Sequence, residues 1–344
     1  MPFLPPPPIQ PYTTWTGAQF STYRLGGPIR QAYLPTNLDD AVRLLDWFCE
    51  VEPPLPRLNL LGWGSNSVIA SAGITLPCVI FRKLTCIEPT QSLPDGRRAF
   101  KFGAGVHLAK VSKTALDHGL KGAEFMVGIP GTVGGAVRMN AGASAQETAP
   151  LVQKAWVYSL PARALQVWPH DKLAFEYRHS AIDPQKYVVL AAELAFEPGE
   201  SADIAERMAF NRTFRQTHHP IEPNGGSVFR NFIEKPLPQP LNAEPSKTSP
   251  LDVAGAETPK IHYAGKMLEA LGAKAWTEGG VRVSLKHANF IVNVANGTST
   301  DVLKLMTRMQ QAVQKAYGIK LHPENLFMGD ASAEESALWQ ALLD

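Results

Sequence analysis

The sequence predicts an α+β fold, in which short strands alternate with helices along most of the chain. Apolar runs at 77–84, 98–106 and 186–198 have the length and composition of strands. The segments 107–119 and 301–317 instead carry apolar residues at helical spacing, and each stops at a glycine. Glycine-rich segments interrupt the alternation, and a length of 344 residues predicts two or three domains.

The first part of the chain begins with a proline-rich lead-in, residues 1–20. Organised structure is expected from 21–28, STYRLGGP, where a short strand runs into a Gly-Gly-Pro turn. A helix follows, because Thr36 and Asp39 have capping-box spacing ahead of apolar residues at helical intervals. The run 57–70 then predicts a strand that ends at a glycine pair.

The second half continues the same alternation. Further elements are expected as strands at 154–160, 163–168 and 290–295, a helix at 202–216, a short helix within 262–274 and an amphipathic helix in the tail, 331–344. Residues 233–260 contain six prolines among small and polar residues, which predicts a flexible surface insertion.

Composition excludes several classes of protein. With 33 basic and 31 acidic side chains, the net charge of +2 is too balanced for a nucleic-acid or membrane footprint. No apolar run approaches the roughly 18 to 20 residues of a membrane helix, and no secretory signal is visible at the N-terminus. Cys49, Cys78 and Cys86 lack a CxxC spacing. We therefore expect a soluble cytoplasmic protein without a metal site.

The segment 122–143, GAEFMVGIPGTVGGAVRMNAGA, is rich in glycine and contains a single acid, Glu124. Glycine removes Cβ, so that backbone N–H groups can approach an anion directly. One interpretation is an exposed glycine-rich turn. The other is a buried loop that wraps a ligand, and the apolar residues Phe125, Met126 and Ile129 among the glycines favour it.

A second candidate for phosphate binding is the loop GWGSN at 62–66, which follows the predicted strand of 57–70. The pattern G-x-G lacks the third glycine of a dinucleotide-binding fold and the lysine of a P-loop, so by itself it has low specificity.

Several motifs occur in the order typical of one family and span roughly residues 21–330. They are STYRLGGP, LLGWGSNSVIA, GAGV (103–106), GIPGTVGGAVRMNAGA, YRHS (177–180), GGSVFRN (225–231), AGKMLEALG, VSLKHANFIVN (283–293) and LHPEN (321–325). The chain thereby resembles the UDP-N-acetylenolpyruvoylglucosamine reductases, the flavin-dependent UDP-N-acetylmuramate dehydrogenases of bacterial peptidoglycan synthesis.

The resemblance implies a two-part FAD-binding fold of the vanillyl-alcohol-oxidase type, followed by a C-terminal α/β substrate domain. The corresponding division is a first FAD-binding subdomain at 21–85, a second at 86–210, a substrate domain at 211–330 and a tail at 331–344. The flexible insertion 233–260 lies inside the substrate domain.

The resemblance also implies noncovalent FAD and NADPH as the hydride donor. The residues expected to bind FAD come from both glycine-rich segments. They are Gly62, Trp63, Gly64, Ser65, Asn66, Ser67, Gly128, Ile129, Pro130, Gly131, Thr132, Gly134, Gly135, Met139, Asn140 and Ala143.

Three residues match the family's catalytic positions. Arg178 would stabilise negative charge that develops on the substrate carboxylate. Ser227 would donate a proton to the carbon intermediate, and Glu324 would hydrogen-bond the developing enolate or supply a proton through water. Asn231 and His287 are expected to contact substrate.

Each of these residues also has an ordinary structural interpretation. Arg178 could form a surface ion pair, Ser227 could be a turn residue and Glu324 a solvated acid at a strand end. His287 could be a hydrogen-bonded structural group.

The spacing between Arg178 and Ser227 is too short for the extra tyrosine-bearing loop of one branch of the family, so the chain resembles the branch that lacks it. The expected reaction is reduction of UDP-N-acetylenolpyruvoylglucosamine to UDP-N-acetylmuramate. The alternatives are an FAD-linked sugar or lactone oxidase on the same cofactor fold and a flavin-binding protein without catalysis. We expect small-molecule substrates as the partners and a monomer.

Overall fold

The computed structural model describes residues 6–233 and 261–344, which form two compact units. Among these described residues, unit 1 comprises those within Met1–Trp15, Ile29–Trp63 and Thr75–Arg215, and unit 2 comprises those within Thr16–Pro28, Gly64–Ile74 and Gln216–Asp344. Because each unit is built from three separate stretches of sequence, the loop GWGSN contributes residues to both.

Eight α-helices lie in the described residues. They are α1 (Gly17–Phe20), α2 (Leu38–Val51), α3 (Leu108–Asp117), α4 (Val133–Met139), α5 (Ser201–His218), α6 (Ala264–Ala270), α7 (Ser299–Tyr317) and α8 (Ala333–Leu343).

Twenty strands, most of them short, accompany these helices in the described part of the chain. They are β1 (Trp15–Thr16), β2 (Pro28–Ile29), β3 (Ala32–Tyr33), β4 (Asn59–Leu61), β5 (Ser67–Ile69), β6 (Cys78–Ile80), β7 (Ile87–Pro89), β8 (Arg98–Gly103), β9 (Leu120–Lys121), β10 (Gly142–Ala143), β11 (Gln146–Glu147), β12 (Val152–Ser159), β13 (Ala164–Pro169), β14 (Tyr187–Pro198), β15 (Phe232–Ile233), β16 (Ile261–His262), β17 (Thr277–Glu278), β18 (Val281–Val283), β19 (Ile291–Asn293) and β20 (Leu326–Met328).

Unit 1 contains an antiparallel sheet in the order β13-β12-β14-β8-β7, with β9 paired to β14, and a smaller parallel sheet in the order β3-β6-β4. The register of β14 against β8 places Ala191 opposite Gly103, the residue at which β8 ends. The sheet therefore fixes the starting point of the glycine-containing loop 103–106.

Two apolar cores stabilise unit 1. One joins Phe102 and Phe196 of the large sheet to Phe125 and Met126 of the glycine-rich segment. The other packs α2 against the small sheet through residues such as Phe48. Burying large aromatic side chains of this kind contributes about 2 to 3 kcal/mol each, so part of the glycine-rich segment is core.

Unit 2 is organised around α7, whose apolar face is buried against α6, α8 and the antiparallel sheet β17-β18-β19. The helix begins at a capping box formed by Thr298 and Asp301, and it ends at Gly318, which adopts the left-handed conformation with φ +68°. Strand β20 pairs in parallel with β5 and places Leu326 opposite Ser67. This pairing sets the segment 321–325 beside the GWGSN loop.

The structure confirms most of the predicted elements and corrects several. Residues 21–27 form a turn and extended chain rather than a strand. Helix α2 is capped by Asn37, whose side chain accepts a hydrogen bond from the Asp40 N–H at 2.8 Å, rather than by Thr36. Asn37 has the extended backbone that an N-cap requires, and the pattern of Thr36 with Asp39 does not test that conformation. The tail forms a helix, α8, as predicted, but its apolar residues are distributed around the helix rather than on one face.

The proline-rich lead-in is described from residue 6 onwards, and of the predicted insertion 233–260 all but residue 233 lies outside the described residues. Within the described part of the chain, no helix is both long enough and apolar enough to cross a membrane.

Candidate active site

Three glycine-containing loops of unit 1 converge on one another. A Cβ atom added to Gly62 would lie 2.7 Å from Oγ1 of Thr132. The Gly134 N–H donates to the Ala104 carbonyl at 2.9 Å, and the Leu108 N–H donates to the Gly131 carbonyl at 3.1 Å. The loops at 62–63, 103–106 and 128–134 therefore form one backbone-lined surface, and these contacts explain why it contains so little side-chain bulk.

Two backbone N–H groups of this surface have no hydrogen-bond acceptor among the described residues. Among the described residues, the N–H groups of Gly131 and Thr132 take part in no hydrogen bond, although both residues are buried. Apart from its sequence neighbours and the backbone of its own helix, no heavy atom of the described residues lies within 4 Å of the position that a Cβ of Gly135 would occupy. Buried N–H groups are rarely left without an acceptor, so these loops have the properties of an anion-binding surface. Ile129 and Pro130 complete the loop.

Trp63 is held in place by two side chains of unit 1. Arg82 lies over its ring at 4.3 Å and donates a hydrogen bond to its carbonyl at 2.7 Å, and His107 packs edge-on at 4.1 Å. Burial lowers the pKa of Arg82 to about 10. Burial, and then the charge of Arg82, lower the pKa of His107. The neutral imidazole thus packs on Trp63 without adding a second cation.

Arg215 is a residue that sequence reasoning missed. A Cβ on Gly128 would lie 2.3 Å from Cδ of Arg215, so the missing side chain makes room for this arginine. Its guanidinium has no hydrogen bond or ion pair with any described residue, and burial lowers its pKa to about 10. The sequence shows only an arginine near the end of a predicted helix, 87 positions after Gly128, and no local pattern joins the two.

Arg178 lies at the tip of a tight turn. The N–H and carbonyl groups of Glu176 and His179 exchange hydrogen bonds at 3.1 and 3.0 Å. Arg178 itself adopts φ +55°, the left-handed region that costs a non-glycine residue roughly 1 to 3 kcal/mol. Such strained residues persist only where the surrounding structure holds them, and they concentrate at functional sites.

The Arg178 guanidinium is oriented by carbonyls of the glycine-rich segment. It donates to the Gly142 carbonyl at 3.0 Å and to the Asn140 carbonyl at 3.4 Å, and it lies 3.6 Å from a carboxylate oxygen of Glu147. Its side chain is 16% exposed, so the arginine is mostly but not completely buried. Part of that charge is offset by Glu147, which the sequence did not single out.

The predicted cofactor residues Met139, Asn140 and Ala143 belong to the chain segment whose Asn140 and Gly142 carbonyls accept hydrogen bonds from Arg178. Met139 is the last residue of α4, and Ala143 lies in β10. Asn140 caps α4 in the left-handed conformation, and its amide bonds Glu147, the Glu176 carbonyl and the Ala149 N–H. Its side chain thus connects α4 to the turn 176–179 that carries Arg178. The resemblance did not imply this structural role.

In unit 2, pairing of two loops brings Ser227 and Glu324 together. The Glu324 N–H donates to the Val228 carbonyl at 2.8 Å, and the Arg230 N–H donates to the His322 carbonyl at 3.0 Å. Ser227 therefore directly precedes Val228, the residue whose carbonyl accepts the backbone hydrogen bond of Glu324.

Glycines determine the local shape of the loop that carries Ser227, residues 225–231, which we call the serine loop. A Cβ on Gly225 would lie 2.1 Å from Cε2 of the buried ring of Tyr23. Gly226 adopts φ +79°, and its N–H donates to the side chain of Asn224 at 2.9 Å. Ser227 thus follows a turn that only the glycine pair allows.

The remaining GWGSN residues, Gly64 to Ser67, belong to unit 2. A Cβ on Gly64 would overlap the Phe20 carbonyl oxygen at 1.8 Å. The amide of Asn66 donates to the Glu324 carbonyl at 2.8 Å. A hydrogen bond therefore connects the GWGSN loop directly to Glu324, the predicted catalytic acid. Ser65 and Ser67 are the sequence neighbours of Asn66, which donates that bond.

A cavity of about 230 Å³ in unit 2 gathers three of the predicted residues, namely Ser227, Asn231 and His287. Its lining also includes Lys266, Lys286 and Glu269. These charged residues come from α6 and from the loop between β18 and β19. The sequence did not single them out, because lysines on a predicted helix or loop are usually solvated.

The side chains of Asn231 and His287, the two predicted substrate contacts, each accept a hydrogen bond from a backbone N–H of unit 2. The amide oxygen of Asn231 accepts a hydrogen bond from the Ala264 N–H at 3.1 Å. The Nδ1 atom of His287 accepts from the Asn289 N–H at 3.1 Å, and burial lowers the pKa of His287. The ring is therefore neutral, with its proton on Nε2.

A larger cavity, of about 510 Å³, lies in unit 1 beneath α5 and contains none of the predicted site residues. Its cations are already matched: Arg207 bonds the buried Glu124 at 3.0 Å, and Lys121 lies 3.2 Å from Glu197. Size alone therefore does not make it the candidate site. No group of three or more His, Cys, Asp or Glu in the described residues could hold a metal ion.

Comparison with a solved structure shows the fold of this chain. The crystal structure of UDP-N-acetylenolpyruvylglucosamine reductase (MurB) from Thermus caldophilus matches it with a TM-score of 0.68 and 26% identity, over 91% of this chain and 97% of that one. The chain therefore has the α+β fold that the sequence predicts, with a two-part FAD-binding fold and a C-terminal α/β domain, and it is an oxidoreductase.

Sequence comparisons identify the family. Residues 217–328 match the model of the UDP-N-acetylenolpyruvoylglucosamine reductase C-terminal domain. Reductases of that name from Synechococcus sp. (strain WH7803) and Synechocystis sp. (strain ATCC 27184 / PCC 6803 / Kazusa) are each 36% identical, over 89% and 94% of this chain and 89% and 91% of the relatives. The chain belongs to the UDP-N-acetylenolpyruvoylglucosamine reductase family.

Proposed function

We propose that this chain reduces UDP-N-acetylenolpyruvoylglucosamine to UDP-N-acetylmuramate for peptidoglycan synthesis in the cytoplasm, with FAD as the bound carrier and NADPH as the hydride donor. The observation that carries the proposal is the unit 2 cavity. Ser227 opens into it together with Asn231 and His287, and Glu324 is hydrogen-bonded to the next residue of the serine loop.

The residues present fit a flavin dinucleotide. A diphosphate needs N–H donors without side chains in the way, and Gly131 and Thr132 supply buried N–H groups that have no acceptor among the described residues. The missing side chains of Gly62 and Gly135 leave the backbone accessible, because neither position meets the main chain of a neighbour. Gly64 to Ser67 stay predicted cofactor residues on the resemblance alone.

Bound FAD would supply the two-electron carrier that accepts hydride from NADPH and returns it to the enolpyruvyl double bond. Arg178 would bind the substrate carboxylate, where negative charge increases during that return. Its guanidinium is fixed by two backbone carbonyls, so it requires little reorganisation when the charge develops.

Ser227 would then donate its hydroxyl proton to the substrate carbon. A serine hydroxyl is a weak acid, but a substrate enolate is basic enough to take its proton within hydrogen-bond reach. Glu324, beside the serine loop, would hydrogen-bond the enolate or return a proton to Ser227 through water.

The charge of the cavity suits a sugar nucleotide. Lys266 and Lys286 provide two cations against the single carboxylate of Glu269. A diphosphate would be attracted by this excess of positive charge. The neutral His287 can donate from Nε2 to a phosphate or sugar oxygen without changing its own charge.

Anaerobic absorbance spectroscopy tests the proposal in two steps. The purified protein should be yellow, and NADPH should bleach it. Subsequent addition of UDP-N-acetylenolpyruvoylglucosamine without oxygen should restore the colour and form UDP-N-acetylmuramate. Recovery with oxygen alone would instead indicate the sugar or lactone oxidase, and a yellow protein that NADPH does not bleach would indicate binding without turnover.

A further inference from the structure

A fully buried amide, that of Asn325, lies between the two predicted catalytic residues of unit 2. Its side chain is 0% exposed. The Nδ2 atom lies 2.7 Å from the Gly225 carbonyl and 3.1 Å from the Ser227 carbonyl. One side chain therefore bonds the main chain on both sides of Gly226, and it belongs to the residue that directly follows Glu324.

The same amide reaches the cofactor loop. Nδ2 of Asn325 also lies 2.9 Å from Oδ1 of Asn66, so its two N–H groups are shared among three oxygens. The amide of Asn66 in turn donates to the Glu324 carbonyl at 2.8 Å. The Leu326 N–H in turn donates to the Asn66 carbonyl at 2.9 Å. These bonds close a ring through Glu324, Asn325 and Asn66.

The orientation of the Asn325 amide is determined by its neighbours. The Tyr23 hydroxyl donates to Oδ1 at 2.9 Å. Complete burial raises the pKa of Tyr23, so the hydroxyl keeps its proton and remains a donor. A flipped amide would place its carbonyl oxygen against those of Gly225 and Ser227, which can only accept hydrogen bonds.

We propose, on the basis of the function proposed above, that Asn325 is a positioning residue for the proton-transfer step. By bonding the carbonyls of Gly225 and Ser227, it holds the serine loop at a fixed distance from Glu324. Through Asn66 it sets both residues relative to the loop that would hold the flavin. Asn325 itself does not line the cavity, so it acts through the residues that it holds.

Asn325→Leu tests this role, because leucine has a similar volume and makes no hydrogen bonds. A displacement of about 1 Å at a reacting group can cost about 100-fold in rate. We expect recovery of the flavin colour by the enolpyruvyl substrate to slow by about that factor. The bleaching step by NADPH should remain within about two-fold of the unsubstituted protein, because it does not use Ser227.

Gln310→Leu is the matched control. Gln310 is another buried amide of unit 2, and it donates to the Leu321 carbonyl at 2.7 Å and to the Leu342 carbonyl at 3.0 Å. Its loss should lower stability without separating the two half-reactions. Equal slowing of both steps in Asn325→Leu, unchanged rates, or the same separation in Gln310→Leu would each overturn the proposal.

Hydrogen exchange provides a readout that does not depend on the reaction. In the protein without substrate, amides in 225–230 and 322–326 should exchange at least about 10-fold faster in Asn325→Leu than in Gln310→Leu. Equal exchange in these segments would overturn the proposal even if the protein catalyses another reaction.

If Asn325→Leu does not fold, a less disruptive substitution can test the same positioning role. Tyr23→Phe removes only the hydroxyl that donates to Oδ1, and it should slow the recovery step alone by about 5-fold. Equal effects on both steps would contradict the positioning role.

Discussion

Arg178 and Ser227 have the same predicted importance, yet the two units hold them in different ways. In unit 1 the arginine itself adopts the unfavourable backbone, with φ +55°. In unit 2 the positive φ, +79°, falls on Gly226, and the serine that follows has an ordinary backbone. The comparison shows two ways to orient a side chain. Either the residue itself adopts a strained backbone conformation, as Arg178 does, or a neighbouring glycine adopts the positive φ, as Gly226 does.

The supports of the two residues differ accordingly. Arg178 is held through its own side chain, by the carbonyls of Asn140 and Gly142. Ser227 is held through its backbone, by the amide of Asn325. A substitution at Arg178 therefore changes both chemistry and fold, whereas a substitution of the Ser227 hydroxyl should change chemistry alone.

The largest expected effect follows from this distinction. Ser227→Ala should leave bleaching by NADPH intact and slow recovery by the enolpyruvyl substrate by about 1,000-fold, because the proton donor is lost and its loop is retained. Rapid-mixing absorbance under anaerobic conditions measures both steps. Equal slowing of the two steps would remove Ser227 from the proton-donor role.

Loss of the Arg178 charge should have the next largest effect. Arg178→Gln should slow the recovery step by about 100-fold, because a charge directed at the substrate carboxylate is removed. Arg178→Lys keeps the charge but cannot bond two carbonyls in the same geometry, so a loss of about 10-fold is expected. Comparable rates for the two variants would show that charge is not what the site requires.

The strain at Arg178 can be measured separately from its chemistry. Arg178→Gly and Arg178→Ala both remove the side chain, but only glycine adopts φ +55° without penalty. Urea unfolding should therefore find the glycine variant more stable than the alanine variant by about 1 kcal/mol. Equal stability would mean that the turn relaxes and holds no strain.

The smallest effect concerns the buried His287. Because burial lowers its pKa, the unfolded state, with a pKa of about 6.5, binds a proton first as the pH falls. The nearby Glu269 opposes this shift, and Lys274 and His218 add to it. His287→Gln should reduce the loss of unfolding free energy between pH 6.5 and 5.5 by up to about 1 kcal/mol. An unchanged slope would contradict a neutral, buried ring.

The helices and longer strands could be predicted from local pattern alone. The apolar face of α7 and its Gly318 terminus depend on residues within 20 positions of one another, and the structure confirms them. The capping-box pattern predicts the cap of α2 one residue too early, because Thr36 and Asn37 can both cap a helix and only the backbone conformation distinguishes them.

The site was predictable only in part, because much of it depends on contacts distant in sequence. The apolar residues of the glycine-rich segment indicated burial, and Phe125 and Met126 do lie in the core. No pattern could join Arg215 to Gly128 or Asn325 to Gly225, since those pairs meet only after folding. The catalytic and cofactor roles themselves stay predictions.

A crystal structure of the protein with FAD and UDP-N-acetylenolpyruvoylglucosamine would test the proposed function most directly. We expect the Arg178 guanidinium to bond the substrate carboxylate within about 3.2 Å and the Ser227 hydroxyl to face the carbon that receives the proton. We also expect the flavin diphosphate on the N–H groups of Gly131 and Thr132. A substrate bound out of reach of Arg178 or Ser227 would contradict the proposed function.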